Sequence, residues 1–182
     1  VDDATILIGC IARVHPAKDH TTFLDAIKVF VQTHRDIVFV LVGTQTNEPA
    51  LAAEIQKRGL EDWVRTLGSR SDVPRILAGL DIHVLSSVTE AFGNVLCEAM
   101  ASGTFCVSTD VGDARSILAG LGWIVPAGDP VALSQAMDAA CQAVRSPEAE
   151  EVSRQLRQSI EERFTVNQMV AGYQAAWLGS DD

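Results

Sequence analysis

The sequence predicts an α/β fold: a doubly wound, mostly parallel sheet of six strands, with helices on both faces and extra helices at the C-terminal end. Six short apolar segments alternate with helical patterns up to about residue 145. The segments are apolar nearly throughout rather than every second residue, as strands covered on both faces are. Strand–helix–strand units of this length take right-handed crossovers, which lay the strands parallel. All 182 residues read as one domain, with a core over about 5–145 and C-terminal helices over about 147–180.

The first strand is Thr5–Ala12, ending in Arg13-Val14-His15-Pro16-Ala17-Lys18. Asp19 has the character of an N-cap, and Phe23, Ile27, Phe30 and Val31 recur on one helical face. Ile37–Val42 is the second strand, closed by Gly43, and a helix covers Pro49–Arg58. Trp63–Leu67 is a short third strand. Ser71 or Asp72 then caps a short helix with Pro74 in its first turn, where a missing N–H costs nothing. Ile82–Leu85 is the fourth strand, followed by a small-polar loop and a helix starting near Phe92–Gly93 and ending at Gly103. Thr104–Ser108 is the fifth strand, a short helix starts near Asp113, and Trp123–Val125 is the sixth strand. Asp129-Pro130 opens a helix with Leu133, Met137, Ala140, Cys141 and Val144 at helical spacing. Two helical patterns follow Ser146-Pro147. The last carries a capping box, Thr165-x-x-Gln168, with Phe164 and Met169 placed as a hydrophobic staple. Its apolar face is Val166, Met169, Val170, Tyr173 and Trp177.

The formal charge is −10 and aromatic residues are only 5%, with no basic stripe, which argues against nucleic acid and anionic membrane as partners. A phosphate-bearing ligand would therefore be held by a few local cations against an unfavourable overall field. Cys10, Cys97, Cys106 and Cys141 stand singly, so buried reduced thiols are expected rather than zinc or disulfides. No apolar run approaches the roughly 20 residues of a membrane helix, and no signal peptide opens the sequence, so a cytoplasmic protein is expected.

Ligands of doubly wound sheets bind beyond the carboxyl ends of the strands. The segments expected there are Arg13–Lys18, Gly43–Thr44, Gly68–Arg70, Ser86–Gly93 and Asp110–Asp113. In a chain with only three lysines, Arg13 and Lys18 in the first of these could neutralise a diphosphate, or be two solvated loop cations. Glu90 and Glu98 bracket a glycine-bearing helix start. They could be acid and base of a hydrolase, hydroxyl-binding groups in one pocket, or a first-turn carboxylate and a solvated one. Glu98 lies in Val95-Leu96-Cys97-Glu98-Ala99-Met100-Ala101, and a charge buried there would need a partner or ligand. The helix start itself favours phosphate oxygens. His83 is mid-strand and reads as a packing residue rather than a catalyst; His15 and His20 lie beside the first loop. There is no Asp-x-Asp, no helical His-x-x-x-His and no Gly-x-Ser-x-Gly, so neither a metal nor a serine nucleophile is expected.

Arg13 with Lys18, Gly43, Leu67-Gly68-x-Arg70-x-Asp72-Val73, Glu90-x7-Glu98 with Ala91-Phe92-Gly93, and Gly128-Asp129-Pro130 run in order from about Ile6 to Val144. Together they resemble the C-terminal half of the retaining GT-B glycosyltransferases, the large group that includes glycogen and sucrose synthases. The resemblance implies a Rossmann-like domain that binds a UDP- or GDP-sugar without a metal or other cofactor. It implies that Arg13 and Lys18 bind the donor diphosphate, Glu90 the sugar hydroxyls and Glu98 the ribose. It places backbone N–H groups of Phe92, Gly93 and Asn94 against sugar and phosphate, with Gly43 and Arg70 flanking the base. A phosphorylase or epimerase of the same architecture, or a non-catalytic nucleotide-binding module, remains open on the same residues.

Two positions depart from the family pattern: Phe105 stands where proline is common, and Val111-Gly112-Asp113-Ala114-Arg115 replaces a Gly-Gly-x-x-Glu element. The first should affect packing more than chemistry; the second leaves the sugar-side contacts open. The resemblance also implies an acceptor-binding N-terminal domain that this chain does not contain, and a full-length enzyme capable of peripheral membrane association. The final helix, crossing in the family to that domain, would expose Trp177 and its neighbours as a surface for self-association.

Overall fold

The computed structural model describes residues 5–178. Its sheet has six strands: β1 Ile6–Ile11, β2 Ile37–Val42, β3 Val64–Thr66, β4 Ile82–Leu85, β5 Phe105–Thr109 and β6 Trp123–Val125. Their order is β3-β2-β1-β4-β5-β6, and every pairing is parallel, so the sheet is parallel throughout rather than mostly so. The order reverses between β1 and β4. At such a switch point the neighbouring loops diverge to opposite faces and leave a crevice at the strands' carboxyl ends. The loops carrying Lys18 and Glu90 leave these two strands.

The helices are α1 His20–Phe30, α2 Pro49–Arg58, α3 Val73–Ala78, α4 Asn94–Ala101, α5 Ala114–Leu118, α6 Pro130–Val144, α7 Ala149–Arg163 and α8 Val166–Leu178. α1 packs against α2 and α6 on one face of the sheet, while α4 packs against α3, α5 and α7 on the other. The strands are apolar throughout because both faces are covered. Ile8, Phe39, Leu41, Ile82 and Val84 are all inaccessible to solvent. Phe39 meets Phe23 and Phe30 edge-on, with ring centroids 6.1 and 5.9 Å away, which ties α1 to the middle of the sheet. Phe105 is buried and stacks on Trp123 at 6.4 Å, so the departure there is a packing substitution.

Caps set the helix boundaries. The Asp129 carboxylate accepts from the amides of Val131 and Ala132 at the start of α6, at 3.0 and 2.9 Å. At α8 the capping box closes both ways: Thr165 donates its amide to Gln168 Oε1 at 2.9 Å, and Gln168 donates its amide to Thr165 Oγ1 at 3.2 Å. α8 buries none of its residues: Tyr173 is 69% and Trp177 91% exposed. No helix among the described residues is long and apolar enough to cross a membrane.

Candidate functional site

β4 is buried along its whole length, and burial continues through Ser86 and Ser87 before the chain surfaces at Val88. Hydrogen bonds hold this exit from both sides. The Ser86 hydroxyl donates to the Lys18 carbonyl at 2.9 Å, and the Val88 amide donates to the Ala17 carbonyl at 2.9 Å. From the far side, the buried Thr109 hydroxyl at the end of β5 donates to the Ser87 carbonyl at 2.6 Å. The loops after β1, β4 and β5 are thereby joined into one rim.

Lys18 ends a single 3-10 turn, Pro16–Lys18, which closes on Asp19 in the left-handed conformation (φ 44°). The Asp19 carboxylate then caps α1, accepting from the Thr22 amide at 3.1 Å. This turn aims Lys18 across the rim, where its Nζ pairs with Glu90 Oε1. The same oxygen accepts the Ser87 hydroxyl at 2.7 Å, leaving Oε2 for a further donor. The two side chains are 24% and 13% exposed, so both are largely withdrawn from water yet reachable. An ammonium has three donors and the carboxylate uses one, which leaves donors for anionic oxygens. Arg13 stands exposed on the same loop and, among the described residues, joins no ion pair.

The helix after Glu90 starts at Asn94, with Gly93 as its N-cap at φ 94°. Glu90 therefore lies in the loop rather than in the first helical turn. Gly93 adopts a conformation that residues with a Cβ pay to enter, and the residues on either side of it, Phe92 and Asn94, are both exposed. Glu98 is a correction. It lies on the exposed face of α4, so the cost of a buried charge does not apply to it. It lines an open groove of about 630 Å³ between α4 and the α7–α8 junction, together with Phe92, Asn94, Arg163, Phe164 and Tyr173. The expectation of four buried thiols is corrected likewise: Cys10, Cys106 and Cys141 are buried, but Cys97 is half-exposed on this groove.

Gly43 and Arg70 take on local partners. A Cβ on Gly43 would lie 2.2 Å from the Ala12 carbonyl oxygen, so only glycine lets the β2 loop close on the β1 loop that carries Arg13. Thr46, fully buried, joins this loop to the next: its hydroxyl donates to the Gly43 carbonyl at 2.9 Å and accepts from the Gly68 amide at 3.1 Å. Arg70 makes a two-pronged pair with Asp72, at 2.8 and 2.9 Å, at an exposed position.

Two features of the rim carry no recognisable sequence signal, since a serine or threonine at a strand end has many uses. Thr109 is one. The other is Gly112 (φ 51°), where a Cβ would lie 2.6 Å from the carbonyl oxygens of both Glu90 and Ala91. The departure at Val111–Asp113 thus retains the glycine that lets the β5–α5 loop lie directly on the Glu90 loop.

Deeper in the fold, His83 is buried in β4, opposite Gly9 and Cys106. Burial pushes its imidazole down to about 4, which fits a packing residue and not a proton carrier at neutral pH. Burial likewise pushes the thiol of Cys10 up to about 12. Among the described residues there is no group of three or more His, Cys, Asp or Glu side chains arranged to hold a metal ion.

The fold and rim together define a parallel α/β domain with a cation–carboxylate pair at its switch point. Residues 5–143 match the sequence profile of the family Glycosyl transferases group 1. The chain belongs to that family. It is 30% identical over 145 residues to the lipopolysaccharide core biosynthesis mannosyltransferase LpsB of Rhizobium meliloti, covering 75% of this chain and 41% of that protein. Among solved structures, a glycosyltransferase from Rickettsia africae superposes on 97% of this chain and 48% of its own, with TM-score 0.86 at 21% identity. HepE of Anabaena, in complex with UDP and glucose, superposes on 95% of this chain and 49% of its own, with TM-score 0.80 at 24% identity. These structural likenesses establish the GT-B half-fold. The chain spans less than half the length of the relatives it matches.

Proposed function

We propose that this chain is the donor-binding domain of a glycosyltransferase that moves a sugar from a UDP- or GDP-sugar to an acceptor, with retention of configuration. The observation that carries the reading is the Lys18–Glu90 pair on the β1–β4 rim, with Arg13 on the same loop and the amino end of α4 beyond it. In this reading Lys18 and Arg13 bind the donor diphosphate and take up the charge that develops as it leaves. Fixed cations aimed at developing charge are the kind of stabilisation that dominates most enzymatic rate enhancement. With that work done by side chains, no metal is required. Glu90, steadied by Lys18 and Ser87, presents Oε2 to hydroxyls of the donor sugar. Glu98, at the groove surface, takes the ribose hydroxyls, and the α4 amino end faces the phosphates. Arg70 and Gly43 bound the base side.

The acceptor is assigned to a second domain of a longer, cytoplasmic protein, so this chain alone should bind donor without transferring sugar. Membership of the family and the mannosyltransferase relative support a hexosyl donor and a role in polysaccharide assembly. Titrating the 15N-labelled chain with UDP, GDP and their hexose conjugates tests the reading. We expect amide shifts at Lys18, Glu90 and Asn94 with dissociation constants between about 1 μM and 1 mM. No shifts at these residues with any of the four ligands would overturn it.

A further inference from the structure

The α7–α8 junction touches the rim at one point and the helix behind it at a second. Phe164, the last residue before the α8 capping box, meets the exposed Phe92 edge-on, with centroids 5.6 Å apart and planes at 70°. Phe92 lies between Glu90 and the Gly93 cap of α4, so this ring pair bears directly on the loop that the donor reading uses. Beside it, Arg163 reaches α5, the helix that follows the β5 rim loop. Its guanidinium donates to the Ile117 carbonyl at 3.1 Å and to the Ser116 carbonyl, and Ser159 accepts a third bond at 3.0 Å. Those carbonyls belong to α5, which begins two residues after Gly112, the glycine pressed onto the carbonyls of Glu90 and Ala91. The two contacts are coupled, since the Arg163 guanidinium also lies 4.7 Å from the centre of the Phe164 ring.

We propose that Arg163 and Phe164 are positioning residues for the donor site. They form a two-point clamp in which Phe164 fixes Phe92, and with it Glu90 and the start of α4, while Arg163 fixes α5 and the Gly112 loop behind it. Neither residue needs to touch a ligand. The clamp rests on the proposed donor-binding role of the rim, but its geometric half stands without it. It also gives the α8 capping box a consequence. Because α8 leaves the domain at Thr165, directly after the clamp, a displacement of α8 would pass first to Phe92 and the α5 carbonyls.

The test uses Phe164→Ala, Phe164→Trp and Arg163→Gln in the 182-residue chain, each followed by amide spectra and thermal unfolding, and by titration with UDP, GDP and their hexose conjugates. Phe164→Ala should move the amides of Glu90 to Val95, and weaken whichever nucleotide binds by roughly three- to tenfold, the equivalent of one aromatic pair. Phe164→Trp should restore both. Arg163→Gln should move the amides of Gly112 to Leu118 and weaken binding by a comparable factor. A merely structural role would lower the melting temperature yet leave the Glu90–Val95 amides and the affinity unchanged, and that result would overturn the clamp. If the parent chain binds none of the four ligands, the donor reading fails. The clamp is then decided by the amides alone: movement at Glu90–Val95 sustains it, and none refutes it.

Discussion

The rim at the carboxyl ends of β1, β4 and β5 and the C-terminal helix α8 are built in opposite ways. At the rim, Ser86, Val88, Thr109, Gly43 and Gly112 hold the loops after β1, β2, β4 and β5 together by backbone contacts and buried hydroxyls. α8 has a satisfied cap at its first turn, and among the described residues nothing buries its apolar side chains. The rim's geometry is dictated by this chain's own packing. The side-to-side placement of α8 is not, because a hydrophobic face confers position only when it is buried. A binding site that must hold ligand groups closely belongs on the first kind of structure; a surface awaiting a partner belongs on the second.

Substitutions along this contrast should differ in size. The largest effect is expected at Gly43→Ala. A methyl group there meets the Ala12 carbonyl oxygen at 2.2 Å in a conformation (φ 144°) that side chains rarely adopt. Backbone strain and overpacking together should cost about 2–5 kcal/mol, read by urea denaturation. An unchanged midpoint would mean the loops yield and the rim is softer than its contacts imply.

An intermediate effect is expected from pH through His83 in β4, below the rim. Its folded pKa, about 4, is below the 6.5 of an exposed histidine. At pH above 6.5 both folded and unfolded forms are neutral and the full stability is present. As the pH falls from 6.5 to about 4 the unfolded chain takes up a proton that the folded chain refuses, so stability is lost by about 3 kcal/mol. The His83→Leu variant should lose most of this slope. His20, whose pKa burial also lowers, leaves a smaller one. A slope unaltered in His83→Leu would assign the acid sensitivity elsewhere.

The smallest effect is expected at Trp177→Ala. With 91% of the residue exposed, removing the ring should change the unfolding free energy by less than about 0.5 kcal/mol. It should also reduce any self-association seen by sedimentation. A substantial destabilisation would show that α8 packs against the domain and would close the gap between the two regions.

Much of this was legible in the sequence for a physical reason. Strands covered on both faces must be apolar throughout, and caps such as Asp129-Pro130 and Thr165-x-x-Gln168 are local chemistry, so fold class and element boundaries follow from short-range pattern. The pairing of Lys18 with Glu90, 72 positions apart, does not. It arises because β1 and β4 are neighbours across the switch point, which only the sheet order shows. Glu98 misled for a related reason: its neighbours in sequence are apolar, but a helix turns every fourth residue back to the same face. Leu96, Ala99 and Met100 go inward while Glu98 faces out. The clamp of Phe164 on Phe92 joins residues that no motif connects.

The most direct test of the central claim, that the rim cations hold a diphosphate, is calorimetric comparison of uridine, UMP and UDP, with the guanosine series in parallel. It is run on the parent chain and on Lys18→Met and Arg13→Met. If the rim cations hold the diphosphate, one series tightens by at least roughly tenfold from monophosphate to diphosphate, and either substitution removes that increment while leaving nucleoside binding intact. Diphosphates that bind no better than monophosphates in the parent, or equally well in all three proteins, would contradict it.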